Sequence, residues 1–197
     1  MKPGRLEPSK LGVLISGRGS NLKAIIDAIE HKQLDASIAI VIANRAGAPG
    51  LDYARRAGID TLVIDHRPFT SREDYDRVLV KELKDRGVVL VCLAGFMRLL
   101  SPVMVDAFPN RILNIHPSLL PKYPGLHPQQ QALDDGAAVS GATVHFVSDE
   151  LDAGPIVLQR EVPVLPGDTG RTLAERILAV EHLLYPEAIR AVLDQGE

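Results

Sequence analysis

The chain has 197 residues, of which 46% are hydrophobic and 24% are charged. This balance is that of an ordinary globular protein, and it excludes a disordered or low-complexity chain. The formal net charge of −3 provides no global basic field. We therefore expect neither nucleic acid nor a membrane as the main partner, although a small anion can still bind locally.

The single cysteine and the start of the chain bear on its location. Cys92 lies in the apolar run over residues 88–93, so we expect a buried thiol and no disulfide within the chain. Residues 1–10 lack the apolar core of a secretory signal, and no apolar stretch approaches the roughly 20 residues that span a bilayer. These features predict a cytoplasmic location.

The first half of the chain alternates apolar, β-branched runs with amphipathic segments. Strands are predicted over residues 11–16, 37–43, 61–64 and 88–93, and helices over residues 20–30, 50–57 and 71–84. This alternation is typical of parallel βαβ units. We therefore predict an α/β fold: a Rossmann-like, mostly parallel twisted sheet with helices on both faces.

The second half has a different pattern. Ser101 before Pro102 predicts a helix start with a capping hydroxyl, and residues 111–115 form another apolar strand before a proline-rich loop. Two extended runs, residues 142–147 and 156–162, predict an antiparallel pair that extends the sheet. A helix over residues 169–193 follows.

A glycine-rich turn joins the first strand to the first helix. In Gly17-Arg18-Gly19-Ser20-Asn21, backbone N–H groups and the positive end of the helix dipole converge, as they do at phosphate sites. The dinucleotide pattern G-x-G-x-x-G is incomplete because Leu22 stands at its third glycine, so NAD is disfavoured. From these residues alone, a phosphate site and a merely tight turn both stay open.

Two polar side chains stand at the end of the strand over residues 111–115. Alternation along a strand places Asn114 and His116 on the same face, and Pro117 restricts His116 to an extended backbone. A carboxamide and an imidazole would then project together. Polar residues at a strand end are also common in proteins without any catalytic role, so this alternative remains open for the pair alone.

The continuation of this segment carries a family resemblance. Asn114-Ile115-His116-Pro117-Ser118-Leu119-Leu120-Pro121 resembles the signature of the folate-dependent formyltransferase family. Five further motifs fall in that family's order, at residues 19–22, 93–98, 123–127, 149–152 and 181–182. The resemblance runs from about residue 11 to residue 189, which is nearly the whole chain.

The resemblance implies a reaction. A formyl group would pass from 10-formyltetrahydrofolate to the amine of glycinamide ribonucleotide in purine biosynthesis, by direct transfer through a tetrahedral intermediate. Asn114, His116 and Asp152 would be catalytic. Such an intermediate carries an oxyanion that needs hydrogen-bond donors, which Asn114 and protonated His116 can supply, and the Asp152 carboxylate would favour and orient the imidazolium.

The resemblance also implies binding residues and a domain plan. The ribotide would contact Gly19, Ser20, Asn21, His127 and Glu181. The folate would contact Arg72, Met97, Arg98, Leu99, Leu100, Asn114, Ser148, Asp149, Glu150, Leu151 and Asp152. One domain over residues 1–197 would comprise a phosphate-binding half, 1–100, and a folate-binding and catalytic half, 101–197.

Each binding assignment has a structural alternative. Without the resemblance, Glu181 would lie on a solvated helix face, Met97 and Leu99 would belong to the core, and Arg72 would be solvated at a helix start. The chain also departs from the family's pattern, because Gln129 stands where many relatives carry histidine. The local loop conformation is therefore open.

No metal is expected, since the histidines at positions 31, 66, 145 and 182 show no zinc-like spacing.

Two related activities compete with the main hypothesis. Formyltetrahydrofolate hydrolases carry an added domain before the first strand, and methionyl-tRNA formylating relatives carry a nucleic-acid-binding domain after the catalytic one; we expect neither here. A non-catalytic nucleotide-binding module is a third alternative. The chain is expected to be a monomer or a homodimer.

Overall fold

The computed structural model describes residues 7–195, which form one seven-stranded sheet and six helices. The strands are β1 Ser9–Ile15, β2 Ala36–Ala43, β3 Thr61–Val63, β4 Leu90–Leu93, β5 Ile112–His116, β6 Val139–Phe146 and β7 Ile156–Pro163. The helices are α1 Ser20–Glu30, α2 Gly50–Arg56, α3 Arg72–Asp85, α4 Pro102–Ala107, α5 Pro128–Asp134 and α6 Gly170–Asp194.

The strand order across the sheet is β3-β2-β1-β4-β5-β6-β7. Strands β1 to β5 pair in parallel, whereas β6 pairs antiparallel with both β5 and β7. The predicted Rossmann-like sheet with an antiparallel C-terminal extension is therefore confirmed. The order reverses at β1, which lies between β2 and β4, and such switch points are where open α/β sheets bind ligands.

Helices cover both faces of the sheet. One buried cluster joins the sheet to α1, α2 and α6 through residues such as Ile25, Leu51 and Tyr185. The other joins the opposite face to α3 and α4 through Leu79 and Met104. The central strands are apolar on both faces, because each face packs against helices.

Side-chain caps begin helices α3 and α6, but not α4. The Ser71 side chain accepts a hydrogen bond from the Asp74 amide at the start of α3, and Thr169 forms a capping box with Thr172 at the start of α6. Ser101 precedes α4 with Pro102 in the first turn, but its hydroxyl makes no capping bond. It donates instead to a buried carboxylate, so the predicted capping hydroxyl is wrong.

Two boundaries also differ from prediction. Helix α5 was not predicted, and only its first residue, Pro128, belonged to the predicted proline-rich loop. Its sequence is polar and has little apolar periodicity, since only Pro128 and Ala132 are buried. Strand β6 begins at Val139 rather than at residue 142, since Ser140 and Gly141 pair with β7 although neither is a strong strand former.

Helix α6 is tied to the centre of the sheet. The Tyr185 hydroxyl lies 3.0 Å from two carbonyl oxygens, those of Leu93 at the end of β4 and of Leu113 in β5. Cys92 is fully buried beside it, as predicted, and burial raises the pKa of its thiol to about 12. Within residues 7–195, neither α6 nor any other helix has the length and apolar character needed to cross a membrane.

Candidate active site

The carboxyl ends of β1, β4 and β5 open into two adjoining cavities. The first has a volume of about 630 Å³ and lies between the turn after β1, the residues after β4, and α6. The second has a volume of about 600 Å³ and lies between the residues after β4, the end of β5, and the loops that follow β5 and β6. All the candidate site residues predicted from the sequence line one of the two.

The glycine-rich turn forms one wall of the first cavity. Gly19 adopts a left-handed conformation with φ of 71° and has no side chain to cap α1. A Cβ atom at this position would lie 2.5 Å from the Cα of Gly50, so the turn requires glycine there. With no side-chain cap, the first N–H groups of α1, at Ser20 and Asn21, remain suited to an anion.

Three arginines also line the first cavity. They are Arg18, Arg45 and Arg171, which come from three separate parts of the chain. Sequence reasoning did not select any of them, although Arg18 lies within the glycine-rich turn, because nothing in the sequence shows that the fold brings the three together. Arg171 pairs with Glu175, which also lines the cavity. The positive charge of Arg18 and Arg45 complements the anion-binding geometry of the turn.

Glu181 projects from α6 into the same cavity. Only 6% of the residue is exposed, and the Asn21 side-chain amide donates a 2.7 Å hydrogen bond to its Oε2. Burial raises the pKa of Glu181, while the bond from Asn21 opposes that shift. The alternative of a solvated helix face is therefore wrong. Asn21 Oδ1 is also buried and lacks a partner among the described residues, so the pair presents oxygen acceptors to a ligand that carries donors.

The predicted trio lies at the mouth of the second cavity. Alternation along β5 places Asn114 and His116 on one face, and the loop after β6 returns Asp152 to them. His116 Nδ1 is 3.5 Å from Asp152 Oδ2. The groups that the sequence predicts to act together are thus brought together by the fold.

The loop after β5 fixes both the imidazole and the carboxylate. His116 Nε2 lies 2.9 Å from the carbonyl oxygen of Tyr123, and because a carbonyl only accepts, Nε2 must carry hydrogen. The Gly125 amide donates a 2.9 Å hydrogen bond to Asp152 Oδ2. Residues 123–125 therefore bridge the two side chains through the backbone.

His145 is a member of this cluster that sequence reasoning missed. It lies opposite Asn114 in the β5–β6 register, with its Nε2 3.2 Å from Asn114 Nδ2 and 3.7 Å from Asp152 Oδ1. Burial lowers the pKa of His145, although the Phe146 carbonyl and the Asp152 carboxylate oppose that shift. Its Nδ1 donates to the Phe146 carbonyl, so Nε2 of the neutral ring accepts from Asn114. The sequence predicted that the strand carrying His145 pairs with β7 and extends the sheet, but not that it also pairs with β5 in the register that places His145 opposite Asn114.

The second cavity is an apolar slot with a polar rim. It is lined by every residue expected to contact the folate: Arg72, Met97, Arg98, Leu99, Leu100, Asn114, Ser148, Asp149, Glu150, Leu151 and Asp152. Met97 is 66% and Leu99 55% exposed, so the alternative that both belong to the core is wrong. Arg72 at the start of α3 also faces this cavity. His127, expected near the ribotide, lines the second cavity rather than the first.

The two cavities share one wall. Gly95, Met97, Ile115 and Pro117 line both, so ligands in the two cavities would meet beside His116. Gln129, where the chain departs from the family's pattern, lines the first cavity. Between residues 7 and 195 no group of three or more His, Cys, Asp and Glu side chains is arranged to hold a metal ion; the absence of a metal stays a prediction.

The fold and the site define a Rossmann-like enzyme with two adjoining cavities, of which the second is lined by an Asn–His–Asp cluster. Residues 9–189 match the formyl transferase family. The chain belongs to that family.

Three relatives illustrate the similarity. Phosphoribosylglycinamide formyltransferase of Escherichia coli is 51% identical over 177 residues, covering 90% of this chain and 84% of the relative. The trifunctional purine biosynthetic protein adenosine-3 of Drosophila pseudoobscura pseudoobscura is 51% identical over 95% of this chain, which spans only 14% of that longer protein. The crystal structure of glycinamide ribonucleotide transformylase 1 from Symbiobacterium toebii superposes with a TM-score of 0.92 at 54% identity, covering 94% of this chain and 88% of that one.

Proposed function

We propose that the protein transfers a formyl group from 10-formyltetrahydrofolate to the amine of glycinamide ribonucleotide. Two bacterial relatives are named phosphoribosylglycinamide formyltransferase, which supports the acceptor and the transferred group. The observation that carries this proposal is the position of the His116–Asp152 pair where two ligand cavities share a wall. A transferase needs two substrates whose reacting atoms meet beside a proton-transferring group. The arrangement meets that requirement.

The ribotide would occupy the first cavity. Its phosphate would accept hydrogen bonds from the amides of Gly19, Ser20 and Asn21 at the start of α1. Arg18 and Arg45 would add positive charge at the rim. Glu181 and Asn21 Oδ1 would accept hydrogen bonds from the ribose hydroxyls or the amine. Such donors would satisfy two buried acceptors, of which Asn21 Oδ1 has no partner among the described residues.

Formyl-folate would occupy the second cavity. Its flat heterocycle suits the apolar slot between residues 97–100 and the loop over residues 148–152. The Arg72 guanidinium, at one end of this cavity, would face the carboxylates of the glutamate tail. The formyl end would then point toward the shared wall and the Asn114–His116 edge of β5.

The side chains of the cluster supply donors and a proton route. As the amine attacks the formyl carbon, negative charge develops on the formyl oxygen, and the Asn114 NH₂ group can donate to it. Collapse of the intermediate then breaks the bond between the formyl carbon and N10 of the folate, and the proton lost by the amine passes to N10 by way of the His116–Asp152 pair. His116 Nε2 donates to the Tyr123 carbonyl, which leaves Nδ1 facing Asp152 Oδ2, so the imidazole and the carboxylate can exchange a proton. His145 accepts from Asn114 and fixes the carboxamide orientation.

Direct transfer is favoured over a covalent acyl-enzyme. Cys92 is fully buried with its thiol pKa raised by burial, and Ser118 is fully buried with its hydroxyl donating to the Lys122 carbonyl. Neither side chain is activated as a nucleophile by a neighbouring base.

The test is a coupled measurement with the purified protein. Incubation with both substrates should yield formylated ribotide and tetrahydrofolate in equal amounts, detected by mass spectrometry. His116→Ala should abolish most turnover, whereas His31→Ala, at the exposed end of α1, should leave it unchanged. Loss of formyl-folate without ribotide would support the hydrolase instead, and no turnover in either mixture would support the non-catalytic module.

A further inference from the structure

A buried carboxylate outside the cluster contacts the wall of the second cavity. Asp76 lies in the middle of α3 with only 1% of the residue exposed. Its Oδ2 accepts hydrogen bonds from the Ser101 backbone amide at 2.6 Å and from the Ser101 hydroxyl at 2.7 Å. No lysine or arginine forms an ion pair with it among the described residues.

This carboxylate holds one end of the segment over residues 95–101. That segment follows β4 and forms neither helix nor strand, so its shape depends on contacts outside itself. Its other end is held by Ser16, whose amide donates to the Gly95 carbonyl at 3.1 Å and whose hydroxyl accepts from the Met97 amide at 2.8 Å. In between, the Arg98 guanidinium lies 5.6 Å from the centre of the Tyr75 ring, beside Asp76 in α3.

The two ends of the segment over residues 95–101 differ in the cavities that they line. Gly95 and Met97, near the Ser16 contacts, line both cavities, whereas Arg98, Leu99 and Leu100, near the Ser101 contacts, line only the second. Loosening the segment at Ser101 should therefore disturb the second cavity selectively. Loosening it at Ser16 should disturb both.

We propose that Asp76 is a positioning residue for the donor substrate: by holding Ser101 it fixes residues 98–100 in the shape that binds formyl-folate. This inference rests on the proposed function of the second cavity. An apolar residue at position 76 would leave the Ser101 amide and hydroxyl buried without an acceptor. Burial raises the pKa of Asp76, while the Ser101 hydrogen bonds and the guanidinium groups of Arg98 and Arg72 oppose that shift. Both arginines line the second cavity.

The experiment compares three variants in steady-state kinetics with each substrate varied in turn. Asp76→Asn keeps an oxygen where Oδ2 accepts both Ser101 bonds but removes the negative charge that strengthens them. It should raise KM for formyl-folate by about 5- to 10-fold, with the ribotide KM and kcat within about twofold of the parent. Ser16→Ala should raise both KM values. Asp85→Asn, which removes a half-exposed carboxylate from the last turn of the same helix, should change neither.

Amide hydrogen exchange provides a second readout that needs no turnover. Exchange of the Ser101 amide, which donates to Asp76, should be faster in Asp76→Asn than in the parent, and unchanged in Asp85→Asn. The inference is overturned if Asp76→Asn leaves both the formyl-folate KM and this exchange as in the parent, or raises both KM values equally.

The outcomes separate this inference from the proposed function. A parent protein that forms formylated ribotide supports the function whatever Asp76→Asn does. If the parent forms none, the function fails, and tetrahydrofolate binding at equilibrium decides the inference: weaker binding by Asp76→Asn than by the parent supports it. Equal binding, or no binding by the parent, overturns it.

Discussion

His116 Nδ1 and Asp152 Oδ2 lie 3.5 Å apart, although helix α5, strand β6 and the loops around them separate the residues in the chain. This distance is slightly longer than an ordinary charge-assisted hydrogen bond. Catalytic hydrogen bonds are often long before substrates bind and shorten in the complex. The pair therefore needs only a small movement of the loop after β6 to form a direct bond, and the loop's attachment to Gly125 limits that movement.

Replacing the carboxylate should slow the chemical step. Asp152→Asn keeps the shape of the side chain but removes the charge that faces both His116 and His145. We expect kcat to fall by about 100-fold or more, with both KM values within a few fold of the parent. Steady-state kinetics test this, with Asp106→Asn on the exposed face of α4 as the control. A rise in KM at constant kcat would contradict a catalytic role.

Replacing the buried Glu181 should weaken binding of the ribotide but not of formyl-folate. Glu181→Gln is isosteric and still accepts from Asn21, but it cannot bind a cationic or hydroxyl donor as strongly. We expect KM for the ribotide to rise by about 10-fold, with KM for formyl-folate unchanged. Glu187→Gln, on the same helix but paired with Arg160, is the matched control. Equal changes in the two KM values would show that the cavity assignment is wrong.

The tight approach of two glycines should make the turn intolerant of any side chain. Gly19→Ala would place a Cβ 2.5 Å from Gly50 Cα in a residue whose φ is 71°. We expect a loss of about 1–3 kcal/mol in the free energy of unfolding, with weaker ribotide binding. In Gly47→Ala the new Cβ meets no atom within 4 Å, so urea unfolding should give a value close to the parent. Similar stabilities for the two variants would refute the steric argument.

The loop that bridges His116 and Asp152 has its own anchor. The Tyr123 hydroxyl donates a 2.6 Å hydrogen bond to Asp135, just after α5. Because the Tyr123 carbonyl holds His116, Tyr123→Phe should lower kcat by about 2- to 5-fold. Asp135→Asn retains an acceptor and should lower it less. If Tyr123→Phe has the parent kcat, the hydroxyl has no part in aligning the imidazole.

The buried His145 predicts a pH dependence of stability. Its pKa is lowered in the native protein, so below about pH 6.5 the unfolded chain binds a proton there that the native protein does not. Stability is therefore lost as the pH falls through this range. In His145→Gln, the free energy of unfolding should fall less steeply between pH 7 and pH 5.5, by at most about 1.4 kcal/mol per pH unit. The free energy of unfolding of both proteins is measured by urea unfolding at each pH, and parallel plots against pH would contradict the prediction. Titration of the carboxyl groups contributes equally to both plots and therefore does not affect their difference.

Local sequence patterns were sufficient for most of the fold. The βαβ alternation, the capped start of α3 and the antiparallel β6–β7 pair all depend on short-range periodicity and turn chemistry, which are visible in the chain. Helix α5 was missed because its stability comes from packing against α6 rather than from its own pattern. The hydroxyl of Ser101 was assigned to a cap because nothing nearby in sequence indicates Asp76.

The site was predictable only in part for the same reason. Asn114 and His116 share a strand, so alternation placed them together, whereas the approach of Asp152 came from the family resemblance and not from spacing. His145 depends on the register of β5 with β6, and the contact between Asp76 and Ser101 depends on how α3 packs on the sheet. Such long-range relationships exist only in the folded chain.

Helix α6 supplies both Glu181 to the first cavity and Tyr185 to the ends of β4 and β5. It is translated after every other described element. During synthesis on the ribosome, the nascent polypeptide can pair its strands early, but the first cavity is incomplete until α6 has left the exit tunnel. Completion of this cavity is thereby delayed until the sheet carries its final covering layer.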